Sequence, residues 1–209
     1  RYGNNLWLGL DKGIDYVMIN SPEFSLFGSS NIYGSGYASL INGNKLYLGT
    51  NQGLFYMNYP LENSAIPNAI DLVDNMQGQT WCLKEIDGHV FCGHDRGLYT
   101  ISGNRAERIQ GVRSAWNLTR LKKHPEYILG CSYDGFFILK KEGDKWVFSH
   151  NVSGVEESSG LFEEDAQGDI WINHWLKGIY RIGLNDKYDT VIRSERFGVD
   201  RGVPSDQGN

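Results

Sequence analysis

Apolar and polar residues alternate along most of the chain in short runs, which is the pattern of β-strands that bury one face. The runs end at Gly, Asn-Gly or Asp-Gly, so consecutive runs are predicted to form antiparallel hairpins. Only the segment from Pro60 to Met76 shows helix-like spacing of apolar residues, and we interpret it as an elaborated outer loop. The pattern therefore predicts an all-β chain.

One hairpin motif recurs five times: an apolar strand, a short turn closed by Gly, and a second strand. The closing glycines recur about every 40 residues, which is the size of one propeller blade. The motifs span residues 5–17, 44–57, 88–101, 125–139 and 168–182, and their closing glycines are Gly13, Gly53, Gly97, Gly135 and Gly178. We expect these glycines to hold left-handed turn conformations, so their role is structural.

A further strand precedes each motif from the second copy onward, and a weaker strand follows. Four antiparallel strands per repeat form the blade of a β-propeller. We therefore predict a single propeller domain over residues 1–209, made of five blades. The fourth copy is predicted to carry one extra residue in its turn, and the fifth replaces the first glycine of the motif by Asn173.

The two ends of the chain do not complete a blade. The first copy lacks its preceding strand, and the tail from Gly202 to Asn209 stops where another inner strand is expected. A closed ring needs complete first and last sheets. We therefore expect an incomplete arc of a larger, seven-bladed propeller, with residues omitted on both sides.

Composition limits the kinds of partner. The net charge is −5, without the basic stripe that nucleic-acid backbones require, so no direct nucleic-acid contact is predicted. No apolar run is long enough to span a bilayer, so a membrane would be reached only through segments outside this chain. The five histidines lack metal-site spacing, and neither a metal nor a cofactor is predicted.

The three cysteines, Cys82, Cys92 and Cys131, lie in apolar strand-like runs. We predict that they are buried small hydrophobic residues, which is the usual behaviour of free cysteine. A disulfide between Cys82 and Cys92 across the Asp87-Gly88 turn is an open alternative.

The sequence Leu-Trp-Leu-Gly-Leu-Asp-Lys-Gly-Ile at residues 6–14, its echo at 46–54 and the lead-in Gly-Val-Pro-Ser at 202–205 resemble the two-component regulator propeller repeat. The resemblance covers nearly the whole chain. It implies a periplasmic sensor region of an inner-membrane hybrid histidine kinase of Bacteroidetes. Such regions sense oligosaccharides and switch on polysaccharide-utilisation genes, and their partners include the other domains of the same receptor.

The candidate binding face follows from propeller geometry. The inner strands are predicted to start at Tyr37, Trp81, Trp116 and Leu161, and three of these side chains are aromatic and suited to stacking on sugars. The neighbouring turns would add further candidate ligand contacts, namely His94, Arg96, Tyr133, His174, Trp175 and Lys177. Arg96 could pair with a uronate or sulfate. The alternatives are that the rings pack between blades and that the turn residues are merely solvated.

Two other functions remain open at this stage. A propeller lyase or glycosidase would need two separated carboxylates, whereas Glu163-Glu164-Asp165 is one local run that we interpret as a solvated edge. Any catalytic residues would then lie outside this fragment. A scaffold for protein partners, or for a homodimer, is the third possibility.

Overall fold

The computed structural model describes residues 5–18, 31–60, 70–155, 159–205 and 207. These residues form β-strands joined by turns, with two short 3₁₀ helices at Asn31–Tyr33 and Val199–Arg201. Within the described ranges, no helix has the length and apolar character needed to cross a membrane. The chain divides into two compact units, Arg1–Ile32 and Tyr33–Asn209.

The first unit contains one antiparallel hairpin, in which β1 (Asn5–Leu10) pairs with β2 (Gly13–Met18). The second unit contains four sheets of four strands each. The first sheet is β3 (Gly36–Asn42), β4 (Lys45–Thr50), β5 (Gly53–Asn58) and β6 (Asp71–Gln77), and the second is β7 (Thr80–Ile86), β8 (His89–His94), β9 (Gly97–Ser102) and β10 (Arg105–Ile109). The third is β11 (Asn117–Arg120), β12 (Tyr127–Ser132), β13 (Gly135–Glu142) and β14 (Lys145–Asn151), and the fourth is β15 (Phe162–Glu164), β16 (Ile170–His174), β17 (Gly178–Leu184) and β18 (Val191–Phe197).

The strands of each sheet pair antiparallel in chain order, from the first strand to the fourth. The first strands of consecutive sheets contact each other, β3 with β7 and β7 with β11, so they form the inner edge of the second unit. The predicted all-β propeller architecture and the four-stranded blade are therefore confirmed. The first repeat appears, within the described residues, as the two-stranded hairpin.

The core lies between consecutive sheets. The third residue of the second strand is fully buried against the following sheet, as with Tyr47, Phe91 and Leu129. Burying one such side chain stabilises the fold by about 2–3 kcal/mol. In the fourth sheet the same ladder position is held by Trp171, the second residue of β16, which is only partly buried.

The three cysteines are free and buried within this core, as the sequence predicted. In the ladder Cys82 pairs with Gly93 rather than with Cys92. Burial raises the pKa of the Cys82 thiol to about 11, so it stays protonated and behaves as a small apolar side chain.

The segment ending at Met76 is a strand rather than the outer loop that the apolar spacing suggested. It forms β6, which contains a bulge: Gly53 pairs with Gln77, while Phe55 pairs with Leu72. The extra residues allow Val73 and Met76 to be buried on the same side. The bulge therefore explains why these two buried residues are three positions apart. In the sequence this spacing resembles that of apolar residues on one side of an α-helix. Residues 61–69 of the predicted loop lie outside the described part of the chain.

The turn of the fourth copy also differs from the prediction. Cys131 pairs with Phe136 just as Gly93 pairs with Leu98, so the turn keeps two residues. The extra residue lies within β12. The longer turn occurs instead in the fifth copy, between His174 and Gly178.

The closing glycines serve two different purposes. Gly97 has a φ of 149° and Gly135 a φ of 103°, which fits the predicted left-handed turn role. Gly53 instead allows close packing, since a Cβ there would lie 2.8 Å from the carbonyl oxygen of Met76.

Candidate functional site

The first strands of the last three sheets start on one face of the second unit, which we call the upper face. Because neighbouring strands are antiparallel, the turn between the second and third strands returns to that face. A cavity of about 360 Å³ opens there. We call it the aromatic cavity, and it is lined by Trp81, Trp116, Tyr133, Ser159, Gly160, Leu161, Asn173 and Trp175.

A β-bulge places Trp81 at the cavity. Thr80 pairs with His94 and Cys82 with Gly93, so Trp81 is an extra residue between two ladder positions. A bulge of this kind redirects a side chain and is common beside binding sites. Tyr37 occupies the same bulged position in the first sheet, and its ring meets that of Trp81 edge-on at 5.5 Å. Tyr37 therefore extends the aromatic surface beyond the cavity lining.

A second aromatic pair forms the next part of the wall. Trp116 lies just before β11, and its backbone N–H donates to the carbonyl of Cys131 at 2.8 Å. Its ring lies 4.6 Å from that of Tyr133, at an interplanar angle of 80°. Tyr133 is 60% exposed and Trp175, in the turn of the fourth sheet, is 71% exposed. The outer wall is therefore accessible to a ligand.

The polar groups of the cavity are uncharged. The indole Nε1 groups of Trp81 and Trp116 are buried, and neither has a hydrogen-bond acceptor among the described residues. Ser159 Oγ donates to the carbonyl of Asn173 at 2.6 Å. A buried N–H without an acceptor costs free energy, and a ligand oxygen could reach either indole nitrogen only if neighbouring side chains moved.

His94 is not on the accessible surface, which corrects its assignment as a ligand contact. Its side chain is fully buried, with Nδ1 accepting the Arg96 backbone N–H at 3.1 Å. Burial lowers the pKa of the imidazole. Nδ1 of His174 accepts the N–H of Leu176 in the same way, at 3.1 Å.

Hydroxyl groups occupy the same turn position in the other two sheets. Thr50 accepts the N–H of Gln52 at 3.0 Å, and Ser132 accepts that of Asp134 at 3.1 Å. Both turn histidines are therefore turn-stabilising residues. Among the described residues, no group of three or more His, Cys, Asp or Glu side chains could hold a metal ion.

Arg96 also lies outside the cavity. Its Nη2 donates to the backbone carbonyls of Asn75, at 3.1 Å, and Gln77. Both carbonyls belong to β6, so Arg96 ties the second sheet to the first. These bonds give Arg96 a structural role, and because its side chain is 52% exposed, its pairing with a sugar anion stays a prediction.

The remaining predicted residues are His174 and Lys177, which are close to Trp175 in the sequence, and Leu161. Lys177 is exposed, and its carbonyl accepts a hydrogen bond from Arg196 Nε at 2.7 Å. Neither His174 nor Lys177 lines the cavity, whereas Leu161 does. Sequence reasoning missed Ser159 and Asn173 as lining residues, although Asn173 had been visible as the residue that replaces a motif glycine.

The acidic run lies on the opposite, lower face, where the first and second strands meet. Glu164 is 1% exposed, and its carboxylate accepts the backbone N–H of Lys122. The interpretation of the run as a solvated edge is therefore wrong for this residue. Asp165 accepts a hydrogen bond from Trp171 Nε1 at 2.9 Å, and this bond is the main cause of its lowered pKa.

Polar contacts join neighbouring sheets along this lower face. Asn42 Nδ2 donates to Glu85 at 3.1 Å. Asp87 accepts hydrogen bonds from Arg120 and, at 3.0 Å, from Lys141. Lys122 Nζ lies 2.9 Å from Glu163. We call the set of turns that carry these contacts the ion-paired turns, and they bind each sheet to the next.

Comparisons with known proteins agree with the fold. No protein-family model and no curated protein matches the chain. Two structures of the BT4673 extracellular domain from Bacteroides thetaiotaomicron are similar, one assigned to a one-component and the other to a hybrid two-component system. Both are 15% identical and match 94% of this chain, with TM-scores of 0.59 and 0.60.

The chain spans 30% of the length of those two structures. A Bacteroides uniformis protein assigned as a 6-phosphogluconolactonase is 8% identical, with a TM-score of 0.51, and the match covers 91% of this chain and 64% of that one. At these identities the similarity establishes the fold alone. In its fold, the chain is thus similar to the extracellular sensor domains that its repeats resemble.

Proposed function

We propose that this chain is part of the extracytoplasmic, periplasmic sensor region of a hybrid two-component system, and that it binds an oligosaccharide in the aromatic cavity. The observation that carries the proposal is the convergence of Trp81, Trp116, Tyr133 and Trp175 on one cavity. Aromatic rings offer large apolar faces to the C–H faces of sugars. The similarity to the extracellular domain of a two-component system supports the sensor role.

The uncharged lining favours neutral sugars. Arg96 is bonded to two carbonyls of β6, and Lys177 is outside the lining. A carboxylate or sulfate entering the cavity would lose water without gaining an opposite charge. We therefore infer that neutral oligosaccharides bind better than anionic ones.

Signalling would require the ligand to bind two arrangements of the receptor with different affinity. Trp81, Trp116 and Trp175 belong to three consecutive blades, Trp81 in β7, Trp116 just before β11 and Trp175 in the turn after β16. A sugar in contact with all three would stabilise one relative arrangement of the sheets. The output, expression of polysaccharide-utilisation genes, would be transmitted by other domains of the same receptor.

We infer binding rather than catalysis for this chain. The acidic groups that a glycosidase would need are engaged on the lower face, where Glu164 accepts the Lys122 N–H and Asp165 accepts Trp171 Nε1. Incubation of each bound oligosaccharide with the purified chain, followed by product chromatography, should return it unchanged. Any cleavage would favour the enzyme alternative.

The binding proposal is tested by calorimetric titration with a panel of neutral and acidic oligosaccharides. At least one neutral sugar should bind, and Trp175→Ala should weaken it by about tenfold, since it removes an aromatic anchor. The matched control is Leu176→Ala in the same turn, which is 64% exposed and outside the lining. If no sugar binds, or if both variants lose affinity equally, the proposal fails.

A further inference from the structure

The outer rims of two sheet junctions are joined by hydrogen bonds. Between the first and second sheets, the backbone N–H of Asp74 donates to the carbonyl of Asn104 at 3.0 Å. Tyr47 Oη donates to the carbonyl of Gly103 at 2.8 Å. These bonds hold the two rims together.

The junction between the third and fourth sheets is closed in a similar way. The backbone N–H of Ser153 donates to the carbonyl of Asp189 at 2.8 Å, and Ser153 forms a parallel bridge with Thr190. His150 Nε2 donates to the carbonyl of Tyr188 at 3.2 Å. Backbone and side chain therefore both connect these rims.

The junction between the second and third sheets is different. A groove of about 850 Å³ separates their outer strands, β10 and β14. Within the described residues, the side-chain ion pair recorded across this groove joins Lys145 to Glu107 at 3.9 Å, and both side chains are about four-fifths exposed. An exposed pair at this distance contributes little. Among the described residues, the outer part of this junction therefore lacks the backbone hydrogen bonds that join the other two, while the buried side chains of Ile109 and Trp146 close its floor.

Two strand edges border the groove. β10 and β14 are the last strands of their sheets, and in the described structure each pairs with another strand on one side only. An unpaired edge offers a row of backbone donors and acceptors to an extended polypeptide. Both borders of the groove are therefore strand edges with no partner strand in the described structure, as strand addition requires.

The side chains define the charge of the occupant. Arg105, Arg108 and Lys145 line the groove, against the single carboxylate of Glu107. This basic surface stands out in a chain whose net charge is −5. Trp146 also lines the groove, and because it is 4% exposed it forms part of the floor. The basic side chains favour an acidic segment.

We propose that the groove between β10 and β14 binds an extended acidic segment of a partner polypeptide, which adds as a strand to one of the two edges. The partner pairs through its backbone, and its acidic side chains meet the basic side chains of the groove. This site is separate from the aromatic cavity, so both can be occupied together.

The probe is a fluorescein-labelled peptide of alternating Glu and Val, nine residues long by design, titrated into the purified chain and followed by fluorescence anisotropy. The double variant Arg105→Glu/Lys145→Glu should weaken binding by at least about tenfold, because attraction becomes repulsion. The control is Arg113→Glu/Lys187→Glu, which makes the same charge change at exposed positions outside the groove and should retain the affinity. A peptide with alternating Lys and Val should not bind.

A proline-containing version of the acidic peptide separates strand addition from charge attraction, because proline cannot donate to the ladder. It should bind at least about tenfold more weakly. Equal binding of the two acidic peptides, equal loss in both double variants, or no binding at about 1 mM would each overturn the proposal. Preference for a sulfated oligosaccharide over the peptide would also overturn it. None of these results depends on the aromatic cavity.

Discussion

The two faces of the four-sheet unit use different chemistry to join the same sheets. On the upper face, aromatic side chains such as Trp116 and Tyr133 meet around an open cavity. On the lower face, the ion-paired turns connect neighbouring sheets, for example through Asp87 and Lys141. Both faces are built from the ends of the same strands.

The two faces also differ in how well their buried polar groups are hydrogen-bonded. Charged groups on the lower face satisfy one another, and their hydrogen bonds fix the spacing of the sheets. The aromatic cavity leaves two indole N–H groups, those of Trp81 and Trp116, without acceptors. Unsatisfied buried donors reduce stability. The lower face is therefore organised for stability, whereas the upper face carries the cavity that we propose as the ligand site.

The largest expected effect tests the stabilising role of the lower face. Asp169 is 6% exposed and pairs with Arg181 Nη2 at 2.6 Å and with Arg193. Asp169→Ala would leave Arg193 without this carboxylate and Arg181 with only Asp165, whose Oδ2 lies 3.9 Å from Arg181 Nε. We expect the free energy of unfolding to fall by about 3 kcal/mol, as measured by urea denaturation.

Asp144→Ala provides the control, because Asp144 is exposed in the turn between β13 and β14. It should change the free energy of unfolding by less than about 0.5 kcal/mol. Equal, small losses in Asp169→Ala and Asp144→Ala would show that the carboxylate pairs of the lower face do not stabilise the fold.

A smaller effect is expected from the aromatic pair of the upper face. In a double-mutant cycle of Trp116→Leu and Tyr133→Ala, the edge-on contact at 4.6 Å should give a coupling of about 1 kcal/mol. The measurement is again urea unfolding of the four proteins of the cycle. A coupling below about 0.3 kcal/mol would mean that the rings make no specific contact.

The fold could be predicted because it repeats. A period of about 40 residues with Gly-closed hairpins identifies a propeller blade, and this inference does not depend on the contacts of individual side chains. Predictions failed where a strand departs from regular pairing. The bulge in β6 buries Val73 and Met76 on one side, and this spacing imitates a helix. The extra residue of the fourth copy was assigned to the turn although it lies in β12.

The site could be predicted only in part. Trp81, Trp116, Tyr133 and Trp175 do meet, since inner-strand starts and the second turns share a face. The burial of His94 depends on a residue outside its own turn, Gly78. A Cβ at this position would lie 3.0 Å from the imidazole of His94, so glycine leaves the space in which the imidazole packs. Contacts between sheets of this kind leave no local signal in the sequence.

The smallest expected effect is a dependence of stability on pH that separates the two faces. Lower-face carboxylates, including Asp87, Asp165 and Asp189, have pKa values below the ordinary 3.8, chiefly because they accept hydrogen bonds from Lys141, Trp171 and Asn185. Their stabilisation is complete above pH 3.8 and is lost as the pH falls below it. They are exposed enough that water screens the effect.

The buried imidazole of His94, beside an upper turn, acts in a different range. Its pKa lies below the ordinary 6.5 because burial disfavours the charged form. As the pH falls below 6.5, His94 becomes protonated in the unfolded chain but stays neutral in the folded chain. The free energy of unfolding therefore decreases. His94→Thr, which installs the residue found at the equivalent Thr50, should flatten the urea midpoint between pH 6.5 and 5 while keeping the loss below pH 3.8. If the decline between pH 6.5 and 5 persists in this variant, another group causes it, and the two pH ranges do not report on the two faces.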